Sequence, residues 1–81
     1  MITPDECRAA RGLLGWSQSA LASRLSRNKS AVANFENFGR SAQTIGPSLR
    51  RIFETAGIVF VPQSGGGADV RLSDVKEQVA R

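Results

Sequence analysis

The sequence predicts a mostly α fold, a small bundle of four to five helices followed by a short C-terminal β-hairpin or strand pair. Residues 17–25 and 28–37 carry apolar side chains at helical spacing, each stretch behind a capping residue. The run 58–61 is instead β-branched and aromatic, which is typical of a strand. At 81 residues the chain forms one small domain. We divide it into a helical part (1–57), a β extension (58–72) and a tail (73–81) that is a short helix or disordered.

The first helix has a complete set of start and stop signals. Thr3 can cap it, Pro4 suits its first position, and Glu6 can return a hydrogen bond to form a capping box. Gly15 ends it. The apolar face of this helix carries Cys7, Ala10 and Leu14. Cys7 is interpreted as a small buried apolar residue and not as a redox group.

Two short helices lie at the centre of the chain. Ser17 can cap the first, whose apolar stripe is Leu21 and Leu25, and Asn28 can cap the second, whose stripe is Val32 and Phe35. Only residues 26–28 separate them, so the helices must cross steeply. This is the helix-turn-helix arrangement, in which the second helix can enter a DNA major groove.

These residues resemble the Cro and phage-repressor class of helix-turn-helix proteins, the XRE family, over residues 3–60. The matching pattern is Ser17-Gln18, Leu21-Ala22, Ser30, Val32 and Phe35-Glu36-Asn37, with Gly39 close behind. The resemblance implies a lambda-repressor-like fold. Three positions depart from the family: Ser26 replaces the usual Gly of the turn, Arg27 replaces an apolar residue, and Phe38 occupies the place of the Gly that follows the second helix. Ser26 must therefore adopt a left-handed backbone at some cost.

After the central helices the polar stretch 38–46 predicts a loop, with a single helical turn as the alternative. Gly46-Pro47 then predicts the start of another helix, since proline suits a first turn. This helix presents Leu49, Ile52, Phe53 and Ala56 to the core, and Gly57 ends it.

The segment after Gly57 predicts strands at 58–61 and 70–72, connected through the glycine run 65–67. An isolated hairpin is marginal in water and needs a partner surface. Both faces of the first strand are apolar, which favours pairing between subunits over packing on its own domain alone. The predicted dimerisation residues are Ile58, Phe60, Val70 and Leu72.

Charge and composition narrow the function. The net charge is +4, and residues 24–51 alone carry +5, which favours nucleic acid over a merely solvated basic face. One cysteine and no histidine argue against a disulfide, a metal site or catalysis, so neither enzyme activity nor a cofactor is expected. No membrane span or signal peptide is evident, which predicts a cytoplasmic protein, associated with the nucleoid through DNA.

The outward side of the second central helix is the predicted reading surface, because Val32 and Phe35 face inward. Residues expected to reach base edges are Lys29, Ser30, Ala33 and Asn34. By resemblance, Gln18, Asn37 and Arg40 contact phosphates, with Ser17, Arg27 and Asn28 as additions. For Asn28 a pure capping role is the alternative. The resemblance also implies an ion pair between Arg11 and Glu36, against the alternative that both are solvated.

The sequence therefore predicts a sequence-specific DNA-binding transcription regulator of a bacterium or mobile element. A repressor binding an inverted-repeat operator as a homodimer is the first hypothesis. A protein-interaction module such as an anti-activator, or an antitoxin, are the alternatives. Double-stranded DNA and a second copy of the chain are the expected partners, and no small-molecule ligand is evident.

Overall fold

The computed structural model describes residues 2–61 and 70–72. Within them the chain forms four helices, α1 (Pro4–Leu14), α2 (Gln18–Leu25), α3 (Lys29–Phe38) and α4 (Ala42–Thr55), and two strands, β1 (Ile58–Phe60) and β2 (Val70–Leu72). The strands pair antiparallel, with Ile58 opposite Leu72 and Phe60 opposite Val70. The predicted fold class, a small helical bundle with a C-terminal strand pair, is confirmed.

The helix ends lie close to where the capping residues place them. Thr3 and Glu6 exchange hydrogen bonds in a capping box ahead of Pro4, and Gly15 closes α1 in the left-handed conformation. The turn between α2 and α3 uses Ser26 at φ 59°, so a serine does adopt the left-handed backbone that usually falls to glycine. α3 extends one residue further than predicted, through Phe38, and Gly39 is its left-handed cap.

The start of α4 corrects the sequence prediction. The helix begins at Ala42, so residues 42–46 are helical and Pro47 lies inside the helix. A proline normally disfavours a helical conformation in the preceding residue because its ring meets that residue's Cβ, but Gly46 has no Cβ. Ile45, which is 2 % exposed, then joins Leu49 and Phe53 on one buried stripe. Burial of this stripe offsets the hydrogen bond that Pro47 cannot donate.

One apolar core receives side chains from all four helices and from β1. Its largest fully buried members are Phe35, Phe53, Leu21, Ile45, Leu49, Val32 and Cys7. Trp16, between α1 and α2, stacks on Phe53 with ring centroids 5.8 Å apart. The central pair α2 and α3 is therefore fixed on a common base of aromatic and aliphatic side chains.

The strand pair packs on this same core, which corrects the interpretation of Ile58. β1 packs against α4 and β2 against α1. Ile58 is only 2 % exposed, so its side chain packs within its own subunit and is not available for the predicted subunit interface. Phe60 and Val70 are partly buried against the core, whereas Leu72 is 39 % exposed. Val59, which the sequence analysis did not single out, is 46 % exposed.

The glycine run at 65–67 and the tail at 73–81 lie outside the described residues, as do the interpretations placed on them. Across the helices that the structure does describe, none combines the length and the apolar character that crossing a membrane requires.

Candidate nucleic-acid interface

α2, a three-residue turn and α3 form a compact helix-turn-helix unit. Ser17 caps α2 by accepting a hydrogen bond from the Ala20 amide at 3.0 Å. The chain then reverses through the left-handed Ser26, where the Arg27 amide donates to the Ala22 carbonyl at 3.0 Å. Local hydrogen bonds at these caps and within the turn thus fix where α3 begins relative to α2.

α3 turns Val32, Phe35 and Glu36 inward, and each is at most 3 % exposed. The opposite side is polar. Lys29, Ser30 and Asn37 are exposed, whereas Ala33 and Asn34 are half-buried. The side of α3 on which the sequence predicts base contacts is therefore polar, but its residues differ in accessibility, since Lys29 is exposed and Asn34 is partly covered.

The first turn of α3 is held by Asn28. Its side-chain oxygen accepts from the Ala31 amide at 3.1 Å and from the Ser30 hydroxyl at 2.8 Å. The cap role of Asn28 is thus confirmed. The amide nitrogen of Asn28 has no partner among residues 2–61 and 70–72, so capping does not prevent it from donating to a ligand.

Gln18 has a role that the resemblance alone does not assign. Its side-chain nitrogen donates to Glu36 at 3.0 Å, and the residue is half-buried. Gln18 therefore ties the start of α2 to the inner face of α3. One of its two amide hydrogens is used in this bond, leaving the other hydrogen and the oxygen for a phosphate or a water.

Glu36 is the centre of a buried polar cluster that joins three helices. The predicted ion pair with Arg11 is confirmed: Arg11 donates through Nε at 2.7 Å and through a terminal nitrogen at 2.8 Å. The Glu36 side chain is 1 % exposed and that of Arg11 18 %. Arg11 also donates to the Trp16 carbonyl at 3.1 Å, so the same guanidinium fixes the segment between α1 and α2. Such a two-point pairing fixes direction as well as distance.

Two further α1 residues reach Glu36, and sequence reasoning missed both. The Cys7 thiol donates to the carboxylate at 3.1 Å, and Arg8 donates to the Glu36 main-chain carbonyl at 2.6 Å. The available signal was spacing: Cys7 and Arg11 are four residues apart, hence on one side of α1. Every buried side-chain nitrogen and oxygen of the described residues has a partner.

The ionisation of this cluster follows from its geometry. Burial by itself would raise the pKa of Glu36, but hydrogen bonds from Arg11, Gln18 and Cys7, with the charge of Arg11, outweigh it and hold that pKa below its usual value. The hydrogen bond to Glu36 raises the pKa of Arg11. Burial, followed by the neighbouring Glu36, raises the pKa of the Cys7 thiol, which therefore stays protonated. The cluster is a charged pair with a neutral thiol donor.

The basic side chains of residues 24–51 divide into two groups. Arg27, Lys29 and Arg40 are exposed on the turn, on α3 and after α3. The others lie along α2 and α4: Arg24 stacks over the Trp16 ring at 4.1 Å, and Arg50 pairs with Glu54 at 3.0 Å. A ligand bound to α3 would therefore meet less positive charge than the net +5 that residues 24–51 carry.

An exposed aromatic residue, Phe38, ends α3 just before the connection to α4. Phe38 is 66 % exposed, and the Arg40 guanidinium lies 5.0 Å from the centre of its ring. Ser41, in the left-handed region at φ 62°, precedes α4 without a side-chain capping bond. This connection thus presents a cation beside a helix start, an arrangement suited to an anion.

No protein-family model matches the chain, and no curated protein matches it.

Proposed function

We propose that the protein is a sequence-specific DNA-binding transcription regulator of the XRE class, acting from the cytoplasm as a repressor on an inverted-repeat operator. The observation that carries this proposal is the exposed polar side of α3. It is held at a fixed angle because one buried carboxylate, Glu36, is bonded to α1 and α2. Because the helix is already held in place, binding to base edges does not carry the entropic cost of ordering it.

Each exposed or half-buried polar position on and beside α3 is assigned a role by its place along the helix-turn-helix unit. Lys29 and Ser30, at the start of α3, meet base edges first, with Ala33 and Asn34 one turn later. Arg27, Asn28 and Arg40 flank α3 and are assigned to phosphates, together with Ser17, Asn37 and the free amide hydrogen of Gln18. Phosphate contacts place the helix, and base contacts select the sequence.

Replacing Lys29 or Asn34 by alanine is expected to weaken operator binding by about 1–3 kcal/mol while changing affinity for random DNA much less. The physical reason is that a lost base contact removes discrimination, whereas a lost phosphate contact lowers affinity for every sequence. Binding is measured by fluorescence anisotropy on DNA from the protein's own upstream region, titrated across salt.

Arg40→Ala is the matched control, since it is expected to weaken binding to both DNAs equally. It should also reduce the slope of log affinity against log salt concentration by about one. Equal losses on both DNAs for Lys29→Ala would reassign that residue to phosphate. If wild-type protein shows no preference for any upstream fragment, sequence-specific regulation is wrong.

Operator recognition further requires a homodimer, because one α3 covers only a few base pairs. Two recognition helices in successive major grooves must lie about 34 Å apart. Val59 and Leu72 are the exposed apolar residues of the strand pair that we assign to the contact. They lie on opposite faces, because Leu72 is opposite Ile58 and Val59 is opposite Arg71, so changing both tests the two faces together. This pair of residues replaces Ile58, which the core already uses.

The double variant Val59→Glu and Leu72→Glu is expected to be monomeric by sedimentation and to lose at least about tenfold in operator affinity, with its helical signal unchanged. Charges at an apolar contact carry a desolvation cost that the exposed monomer surface does not impose. Leu13→Glu, which alters an equally exposed leucine on α1 (43 % exposed), is the control. A dimer that survives the double change but dissociates with Leu13→Glu would move the interface to α1.

The alternatives are an anti-activator or an antitoxin using the same fold. Both require a protein partner that binds the exposed side of α3. The exposed side of α3 is mostly polar, which favours DNA over a protein. Phe38 is the single large apolar side chain exposed on the described part of α3, and it alone favours the protein-binding alternative.

A further inference from the structure

A groove separates α2 from α4 on a side of the molecule that none of the predicted DNA-contacting residues lines. Its main part has a volume of about 400 Å³ and is lined by Trp16, Arg24, Arg51, Ile52, Thr55 and Ala56. A second hollow of about 230 Å³ shares Arg24, Arg51 and Ile52 and continues it past Leu25. Sites for small ligands have volumes of this order and combine apolar walls with a few polar groups.

The charges of the groove are unbalanced. It contains two arginines and no carboxylate, and the single acidic residue of α4, Glu54, is bonded to Arg50. Within residues 2–61 and 70–72, Arg51 makes neither an ion pair nor a hydrogen bond. Arg24 has its guanidinium face on Trp16, which leaves the N–H edge open for a two-point contact.

The chemistry of the groove therefore specifies its ligand. A carboxylate would satisfy the two guanidinium groups, and Thr55 offers a hydroxyl beside them. An apolar body would lie against Ile52 and Ala56, beside the Trp16 ring that Arg24 and Phe53 already contact. We propose that this groove is a binding site for a small organic acid with an aromatic or branched apolar body. None of the predicted DNA-contacting residues lines this site, so the proposal does not depend on the DNA-binding function proposed above.

Trp16 allows a direct test, because it is the only tryptophan of the chain and lines the site. The probe is 4-phenylbutyrate, and the neutral 4-phenylbutyramide is its matched control. The acid is expected to change the Trp16 emission saturably and to shift the amide resonances of Ile52 and Ala56. The neutral amide is expected to bind at least about tenfold more weakly, because it cannot form charge-assisted bonds with the arginines.

Arg51→Gln separates a built site from a general attraction to positive charge. It is expected to weaken binding of the acid about tenfold or more. The double change Arg50→Gln, Glu54→Gln, which removes a cation outside the groove without freeing the carboxylate that it pairs with, leaves binding unchanged. Equal affinities for acid and amide, or equal effects of the two variants, would overturn the proposal. So would a protein-concentration dependence of the Trp16 emission without ligand that Arg51→Gln removes, since a second copy would then occupy the groove.

Discussion

Glu36→Gln is expected to lower the free energy of unfolding by about 3–5 kcal/mol, a large part of the total stability of a small domain. The substitution preserves shape but removes the charge that faces Arg11, whose side chain is 18 % exposed. It also replaces a carboxylate that accepts four side-chain hydrogen bonds by an amide, whose NH₂ group would face donors. The loss should therefore exceed that of an ordinary hydrogen bond.

Urea unfolding followed by circular dichroism measures this effect. Arg50→Gln is the matched control, because the pair of Arg50 and Glu54 is about half exposed and should contribute less than about 1 kcal/mol. The double variant Arg11→Met, Glu36→Leu should recover much of the loss, since it leaves no charge stranded. If Glu36→Gln costs no more than Arg50→Gln, the cluster does not hold the helices together.

The same residue sets an acid dependence with a definite sign. Because the pKa of Glu36 is lowered in the folded state, its contribution is complete above the unfolded-state value near 4.3 and is lost as the pH falls through the folded-state pKa. The wild-type protein should lose stability over that acidic range more steeply than Glu36→Gln. Parallel stability curves for the two proteins would show that Glu36 does not titrate differently on folding.

Ile58→Ala is expected to cost about 2–5 kcal/mol, while Val59→Ala on the same strand costs less than about 1 kcal/mol. The two neighbours differ in burial, at 2 % and 46 % exposed, and the strand they share lies against α4. Removing the Ile58 side chain leaves a cavity in the core that Phe53 and Leu49 also help to fill.

Thermal unfolding of both variants compares these costs. Equally small losses, below about 1 kcal/mol for both variants, would mean that β1 is dispensable and that an independent domain ends at residue 57. If Ile58→Ala is the costly change, a chain shortened to Gly57 should lose its fold, and oligomeric state must be tested with surface substitutions instead.

The elements that the sequence predicts well are those decided by local bonds. Thr3, Ser17 and Asn28 cap their helices, and Gly15 ends α1, because each acts within four residues along the chain. The start of α4 was predicted wrongly for the complementary reason. Pro47 is a local signal for the first turn of a helix. Burial of Ile45 in the core instead favours a helix that begins at Ala42, and local sequence rules do not include the free energy of that burial.

The site divides in the same way. The pairing of Arg11 with Glu36 was inferred from a resemblance, yet the convergence of Cys7, Arg8 and Gln18 on that residue depends on how three helices cross. The groove between α2 and α4 likewise exists only once the two helices pack. Burial of Ile58 was missed because an apolar strand has the same sequence whether its own core or a second subunit covers it.

The buried thiol of Cys7 gives the domain an intrinsic reporter of its own opening kinetics. A thiol reagent attacks the thiolate, and this sulfur is buried and protonated as long as it donates to Glu36. Modification therefore proceeds only through conformations in which α1 has separated from α3. Since the chain has no other cysteine, its alkylation rate measures how often that separation occurs, without any introduced label.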